Sequence, residues 1–163
     1  MIQIEGVNIL NFLINITEYS VKTRVSIAED TKNPQILAFL SEDSSEEVKE
    51  AVAKNKITSK KIVNKLSFDE SKRVQAATAT NLKLSKDNLD RLAREGDTDT
   101  RVEVVKNPNT RNKTRDYLSN DKNWEVLVEL ARSPFTGVRT LKKLTQKKDK
   151  LVVRSAKENP KFK

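Results

Sequence analysis

The sequence predicts an all-α solenoid, a stack of two-helix units that repeats every 26 residues, and three observations carry that reading. Leucine recurs at Leu40, Leu66, Leu92, Leu118 and Leu144, always at this one spacing, which is the fixed-period self-similarity of repeat architectures. Other columns keep step with it. Val48, Val74, Thr100, Val126 and Val152 form one, Ala53, Ala79, Val105 and Ala131 a second, and Asn55, Asn81, Asn107, Ser133 and Asn159 a third. Pro108, Pro134 and Pro160 follow the asparagines, and Asp43, Asp69 and Asp121 mark a further polar column. The third observation is composition: with 36% hydrophobic, 5% aromatic and 34% charged residues, the apolar side chains suffice for narrow stripes on many short helices rather than for one thick core.

Taken in chain order, residues 1–21 form a capping half-repeat, because a step back of one period from Ile36 and Leu40 lands on Leu10 and Ile14, with Ile2, Ile4 and Val7 as further apolar residues. Glu5, Asn8, Asn11 and Asn15 interrupt that stretch and no basic region precedes it, so it reads as neither a secretory signal nor a membrane span. Five repeats follow over 22–151, and a half-repeat over 152–163 completes a single domain, 1–163. Within a unit, Val48, Ala51 and Val52 share one face at helical spacing and predict a first helix. Ile62 and Leu66, four residues apart behind Thr58, predict a second helix that the threonine hydroxyl caps, with Thr110 and Thr136 in the same column. Asn107-Pro108 and Ser133-Pro134 end the first helix, since proline disfavours helical geometry in the residue before it. Asp43 with Glu46 reads as a capping box for the helix that contains Val48.

Helices shorter than about 12 to 15 residues are marginal alone, so the units must stack. Ala51, Ala53, Ala77, Ala79 and Ala131 permit the close approach that stacking needs. The first repeat is degenerate. Glu29-Asp30 stands where later units carry Asn-Pro, Asn33-Pro34 is out of step, and the first helix registers on either Val21 or Val25. At the other end the last leucine layer is left to self-association, to a partner, or to Phe162.

The run Val126-Leu127 through Ala131, Ser133-Pro134, Thr136, Leu141 and Leu144, with Trp124 just ahead, resembles the leucine-rich repeat variant family, a relative of the HEAT-like helical repeats. Asp121 to Val126 and Asn107 to Thr110 are the best local matches, and the resemblance covers nearly the whole chain from about residue 20. It implies a right-handed superhelix in which α-helices alternate with shorter, often 3₁₀-type, helices and no sheet forms. The chain departs from the family in three ways: the period is slightly long, the arginine after the leading valine survives only as Lys49 and Arg101, and the Asn-Pro turn is displaced in unit one and lacks proline in units two and three. The family is a structural class, so the resemblance implies a fold and no activity.

The absence of cysteine and histidine excludes disulfides, thiolate and imidazole metal ligands, the iron–sulfur module of some relatives, and the commonest nucleophilic and acid–base chemistry. No catalytic residue, metal or cofactor is expected. Charge is informative by position. Up to Ala131, 21 basic and 21 acidic residues cancel, whereas the last 32 residues carry 11 basic residues against Asp149 and Glu158, which accounts for the whole net charge of +9. Arg132, Arg139, Lys142, Lys143, Lys147, Lys148, Lys150, Arg154 and Lys157 are therefore the candidate binding patch. Lysines on an exposed terminal unit also keep an open stack soluble, which is the bland reading of the same residues. Trp124 either packs over its own turn or anchors a partner. Asp43, Asp69 and Asp121 read as caps, one per unit, and the asparagine column reads as a helix terminator or as a ladder for a peptide backbone.

The functional expectation is a non-enzymatic binding module or scaffold that engages a protein partner along the solenoid, its basic end facing an acidic surface. The alternative is DNA binding through phosphate contacts of the C-terminal repeats. Neither reading involves a membrane, self-association through the C-terminal end is open, and the expected location is cytoplasmic.

Overall fold

The computed structural model describes Leu13 and residues 15–162. Among these are eleven α-helices, one closing 3₁₀ turn and no strand. The first helices of successive units are α1 (Val21–Asp30), α3 (Glu46–Lys54), α5 (Lys72–Thr80), α7 (Thr98–Lys106), α9 (Trp124–Arg132) and α11 (Lys150–Glu158). The second helices are α2 (Pro34–Leu40), α4 (Lys60–Leu66), α6 (Lys86–Glu95), α8 (Asn112–Leu118) and α10 (Val138–Leu144). Each first helix packs directly on the first helix of the next unit, while the second helices lie farther from one another.

The second helices are short, seven residues each except α6 with ten, as the family resemblance implies. They are α-helical, closed by four-residue bonds such as Ser67 N to Val63 O and Thr145 N to Leu141 O. The 3₁₀ geometry expected for them is confined, among the described residues, to Pro160–Phe162.

Both leucine and valine columns are core. All five leucines are buried, and Val48, Val74, Thr100, Val126 and Val152 are wholly inaccessible, as are Ala53, Ala79, Val105 and Ala131. In the first unit, Val25 and Ile27 pack against the core beside buried Arg24 and Ala28 while Val21 is exposed, and Arg24, which pairs with Asp43 as Arg101 pairs with Asp121, puts Thr23 rather than Val21 or Val25 in the leading position. Asn33-Pro34, out of step as a turn, serves as N-cap and first residue of α2, where a proline loses no hydrogen bond. Of the N-terminal apolar residues, Ile2, Ile4, Val7, Leu10 and Ile14 lie outside the described residues, whereas Ile16 is buried among the side chains of the first units. At the C-terminus Phe162 packs on the core and Leu144 is fully covered.

Two capping assignments need correction. Asp43 is not the N-cap of α3. Ser45 is, and Asp43 sits two residues earlier, where one carboxylate oxygen accepts from the Ser45 N–H at 2.9 Å and the group as a whole takes the Arg24 guanidinium at 2.8 and 3.0 Å. Asp69 repeats this with Ser71 N and Lys49, and Asp121 with Asn123 N and Arg101. The column therefore fixes the turn and ties it to the first helix of its own unit. The threonines Thr58, Thr110 and Thr136 also do not cap the second helices. Their buried hydroxyls donate back to Val52 O, Val104 O and Leu130 O at 2.6 to 2.7 Å, closing the end of the first helix, and the following residue is the N-cap. A buried hydroxyl beside a helix C-terminus finds an unpaired carbonyl there, which decides its direction.

Candidate binding surfaces

The asparagine column runs through the interior and is no peptide ladder. Asn55, Asn81, Asn107 and Asn159 are buried, and each side-chain amide is consumed by the stack. The Asn81 Nδ2 donates to Ala53 O at 2.7 Å and Asn55 O at 3.3 Å in the preceding unit, and its Oδ1 accepts from Lys83 N at 2.9 Å. Asn107 does the same with Ala79 O, Asn81 O and Asn109 N, and Asn159 with Ala131 O, Ser133 O and Lys161 N. Asparagine suits the position because one planar group supplies a donor for the carbonyls that end the helix below and an acceptor for its own turn.

Ser133 is too short to make that link, and the gap is filled from a place the sequence reading passed over. Arg115 stands in the column of Leu37, Val63, Leu89 and Leu141, yet it is only 2% exposed. Its guanidinium donates to Asn107 O at 2.7 Å and to Thr110 O, with the Phe135 ring 5.4 Å away. Burial pushes its pKa down to about 10, and no carboxylate lies within 4.0 Å among the described residues. A cation in an otherwise aliphatic column was a legible anomaly. Nearby, the second helices share a polar seam in which Asn64 meets Asn88, Asp90 meets Thr114 and Asp116 meets Thr140. Burial raises the Asp90 carboxyl, but hydrogen bonds from Thr114, Arg111 and Lys113 outweigh it and leave the group below its ordinary value.

The predicted patch divides. Lys147, Lys148, Lys150, Arg154 and Lys157 line one open basin of about 600 Å³ at the last unit, together with Thr145, Val153 and Glu158. Arg132, Arg139, Lys142 and Lys143 do not line it. Lys143 pairs with Asp116 at 2.7 Å and holds that carboxyl below its usual range, while Arg132 and Arg139 flank the turn between α9 and α10. Arg154 is partly neutralised by Glu158 at 2.8 Å. The basin has a structural origin. Lys157 follows Ala53, Ala79, Val105 and Ala131 in the fully buried column, whereas Arg154 follows Glu50, Ala76 and Val102, all half-buried, and the buried Val128. Both cations are exposed.

Charge is also sorted by edge. The turns from first to second helix and the turns back lie at opposite ends of the first helices, separated by roughly 13 Å for nine residues. Segments 54–61, 80–87, 106–113 and 132–139, around the first set of turns, carry eleven basic residues and one carboxylate, Asp87. Segments 41–48, 67–74, 93–100 and 119–126, around the second set, carry eleven carboxylates and four basic residues. Counting along the chain hid this, because the two sets cancel in number and not in place. Trp124, at the start of α9, is 52% exposed.

Among the described residues no cluster of acidic side chains could hold a metal ion, and no helix is long and apolar enough to cross a membrane. The fold is similar to a solved structure described as a leucine-rich repeat variant with a novel repetitive protein structural motif, with a TM-score of 0.72 at 16% identity. The superposition covers 91% of this chain and 60% of that one, so this chain spans well under two thirds of that protein's length. The resemblance read from the columns thus holds at the level of the fold. No protein-family model matches the chain, and no curated protein matches it in sequence.

Proposed function

We propose that the chain is a non-enzymatic helical-repeat scaffold that engages a protein partner, with the cationic basin along α11 as its contact for an acidic surface. The observation that carries this reading is the exposed Lys157 in a column that is fully buried in the preceding units, beside Arg154, Lys147, Lys148 and Lys150 in one basin. Polarity of either sign would keep an exposed helix face soluble. Here the basin gathers five cations against Glu158, and Lys147, Lys148, Lys150 and Lys157 have no carboxylate within 4.0 Å among the described residues. Such a one-signed face raises the rate of encounter with an acidic partner and leaves it sensitive to salt.

The test is affinity capture with the full chain and with a variant carrying Lys147→Glu, Lys148→Glu, Lys150→Glu and Lys157→Glu. The same proteins should be retained after nuclease treatment by the parent chain and lost by the variant. Capture that nuclease abolishes would overturn the reading in favour of nucleic acid, whose affinity should fall on a log–log salt plot by about 0.9 per phosphate contact. Capture that the four substitutions leave unchanged would remove the basin from the function altogether.

A further inference from the structure

We infer that the solenoid docks side by side with a second copy of itself, the basic edge of one chain against the acidic edge of the next. This surface is separate from the terminal basin and does not depend on it. The complementarity lies in charges that the fold leaves over. Lys56, Lys60, Lys61 and Lys86 are exposed on the basic edge with no ion pair among the described residues. On the acidic edge Glu70, Asp99 and Glu125 are exposed and equally unpaired, and Glu46 and Glu47 meet only the hydroxyls of Ser71 and Ser45.

Periodicity matches without further design. Both edges are made by the same 26-residue unit, so basic turns and acidic turns each recur once per unit, and a second copy offers the same number of turns per unit for pairing. A partner of unrelated fold would have to reproduce that periodicity; a second copy has it by construction. Each edge also carries large apolar side chains left in solvent. Ile57, Leu82 and Phe135 stand on the basic edge, with Leu82 63% exposed, and Phe68 and Trp124 stand on the acidic edge at 62% and 52%. These are the residue types that anchor interfaces when flanked by charge. The excess of +9 does not oppose the contact strongly, since it sits beyond Ala131, largely past the four acidic turns.

The contact is heterologous: each copy that uses one edge keeps the other free, so the assembly is open and grows with concentration. Sedimentation velocity of the full chain at about 0.05 M and about 0.5 M salt should therefore show a mass that rises with concentration at low salt and falls back at high salt. Neutralising the basic edge with Lys56→Gln, Lys60→Gln, Lys61→Gln and Lys86→Gln should leave a monomer. Neutralising the acidic edge with Glu46→Gln, Glu47→Gln, Glu70→Gln and Glu125→Gln should do the same. An equimolar mixture of the two variants retains one live edge of each kind and should stop at twice the monomer mass. A basin variant, with Lys147, Lys148, Lys150 and Lys157 changed to Gln, should associate like the parent, which separates this inference from the proposed partner site. Monomer mass for the parent at every concentration and at low salt would overturn it. So would association that persists in both edge variants, or a mixture that fails to form the dimer.

Discussion

The pairing of Arg115 with Ser133 can be tested by restoring the repeat at both places. Arg115 makes two charge-assisted bonds to backbone carbonyls, each contributing about 1.5 to 3 kcal/mol. Against this stands the burial of an uncompensated cation: a pKa lowered from its ordinary value to about 10 corresponds to about 3 kcal/mol of desolvation. The arginine is thus close to neutral or favourable by a few kcal/mol. Arg115→Leu alone fits a column already filled by Leu37, Leu89 and Leu141 but removes the donors to both Asn107 O and Thr110 O, so it should cost about 1 to 3 kcal/mol. Ser133→Asn alone should change little, because Asn107 O is already occupied. Together they remove the buried cation and rebuild the link, and the double variant should be at least as stable as the parent, with a favourable coupling of about 1 to 3 kcal/mol. Urea unfolding followed by far-UV circular dichroism measures all four corners, with Trp124 fluorescence as a second probe to check that the units melt together. Additive effects, or a double variant less stable than Arg115→Leu, would refute the claim that the arginine substitutes for the missing amide.

Leu118→Ala should cost about 2 to 5 kcal/mol in the same assay, since the side chain is fully enclosed, and a loss below about 0.5 kcal/mol would mean that the column is not core. Gly96→Ala should destabilise by about 1 to 3 kcal/mol although the backbone there is ordinary, because a Cβ would meet Leu92 O and the Thr100 side chain at 2.6 Å; an unchanged unfolding midpoint would show that the turn can move aside. The folded pKa of Asp90 lies below its ordinary 3.8, so its contribution is fully present above that value and is lost as pH falls through the folded value. Asp90→Asn should accordingly flatten the acid limb of the stability curve below about pH 4, and an identical limb would remove Asp90 from the acid response.

How much of this was legible in the sequence follows from what a column can report. Period, helix pairs and core showed directly, because an apolar side chain repeated at one spacing has only one task, burial. Polar columns reported position but not direction. The hydroxyl of Thr58 was visible as a capping group, yet whether it turns towards the helix ahead or the helix behind depends on which carbonyl or N–H is left unpaired in three dimensions. Asp43 was assigned to the helix start although its carboxylate is shared between a turn N–H and Arg24, a partner 19 residues away that no local motif names. The basic segment was found, but its division between the basin and the flanking turns required knowing which helix end each residue occupies. The edges escaped entirely, since a count along the chain averages turns that the fold sends to opposite sides.

The asparagine link has a consequence for how such a chain can change length. Donor and acceptor belong to adjoining units and occupy equivalent places at Asn81, Asn107 and Asn159, so units joined by these links can receive one another. Excising residues 81–106 as a block would bring Asn107 over the Ala53 carbonyl that Asn81 now holds, with the leucine and valine columns rejoining behind it. Loss of a number of residues other than a whole unit would set an amide against a hydrocarbon face. The molecule is therefore built to be shortened or extended only in whole steps, and the Ser133 junction marks the one place where a graft would have to bring its own arginine.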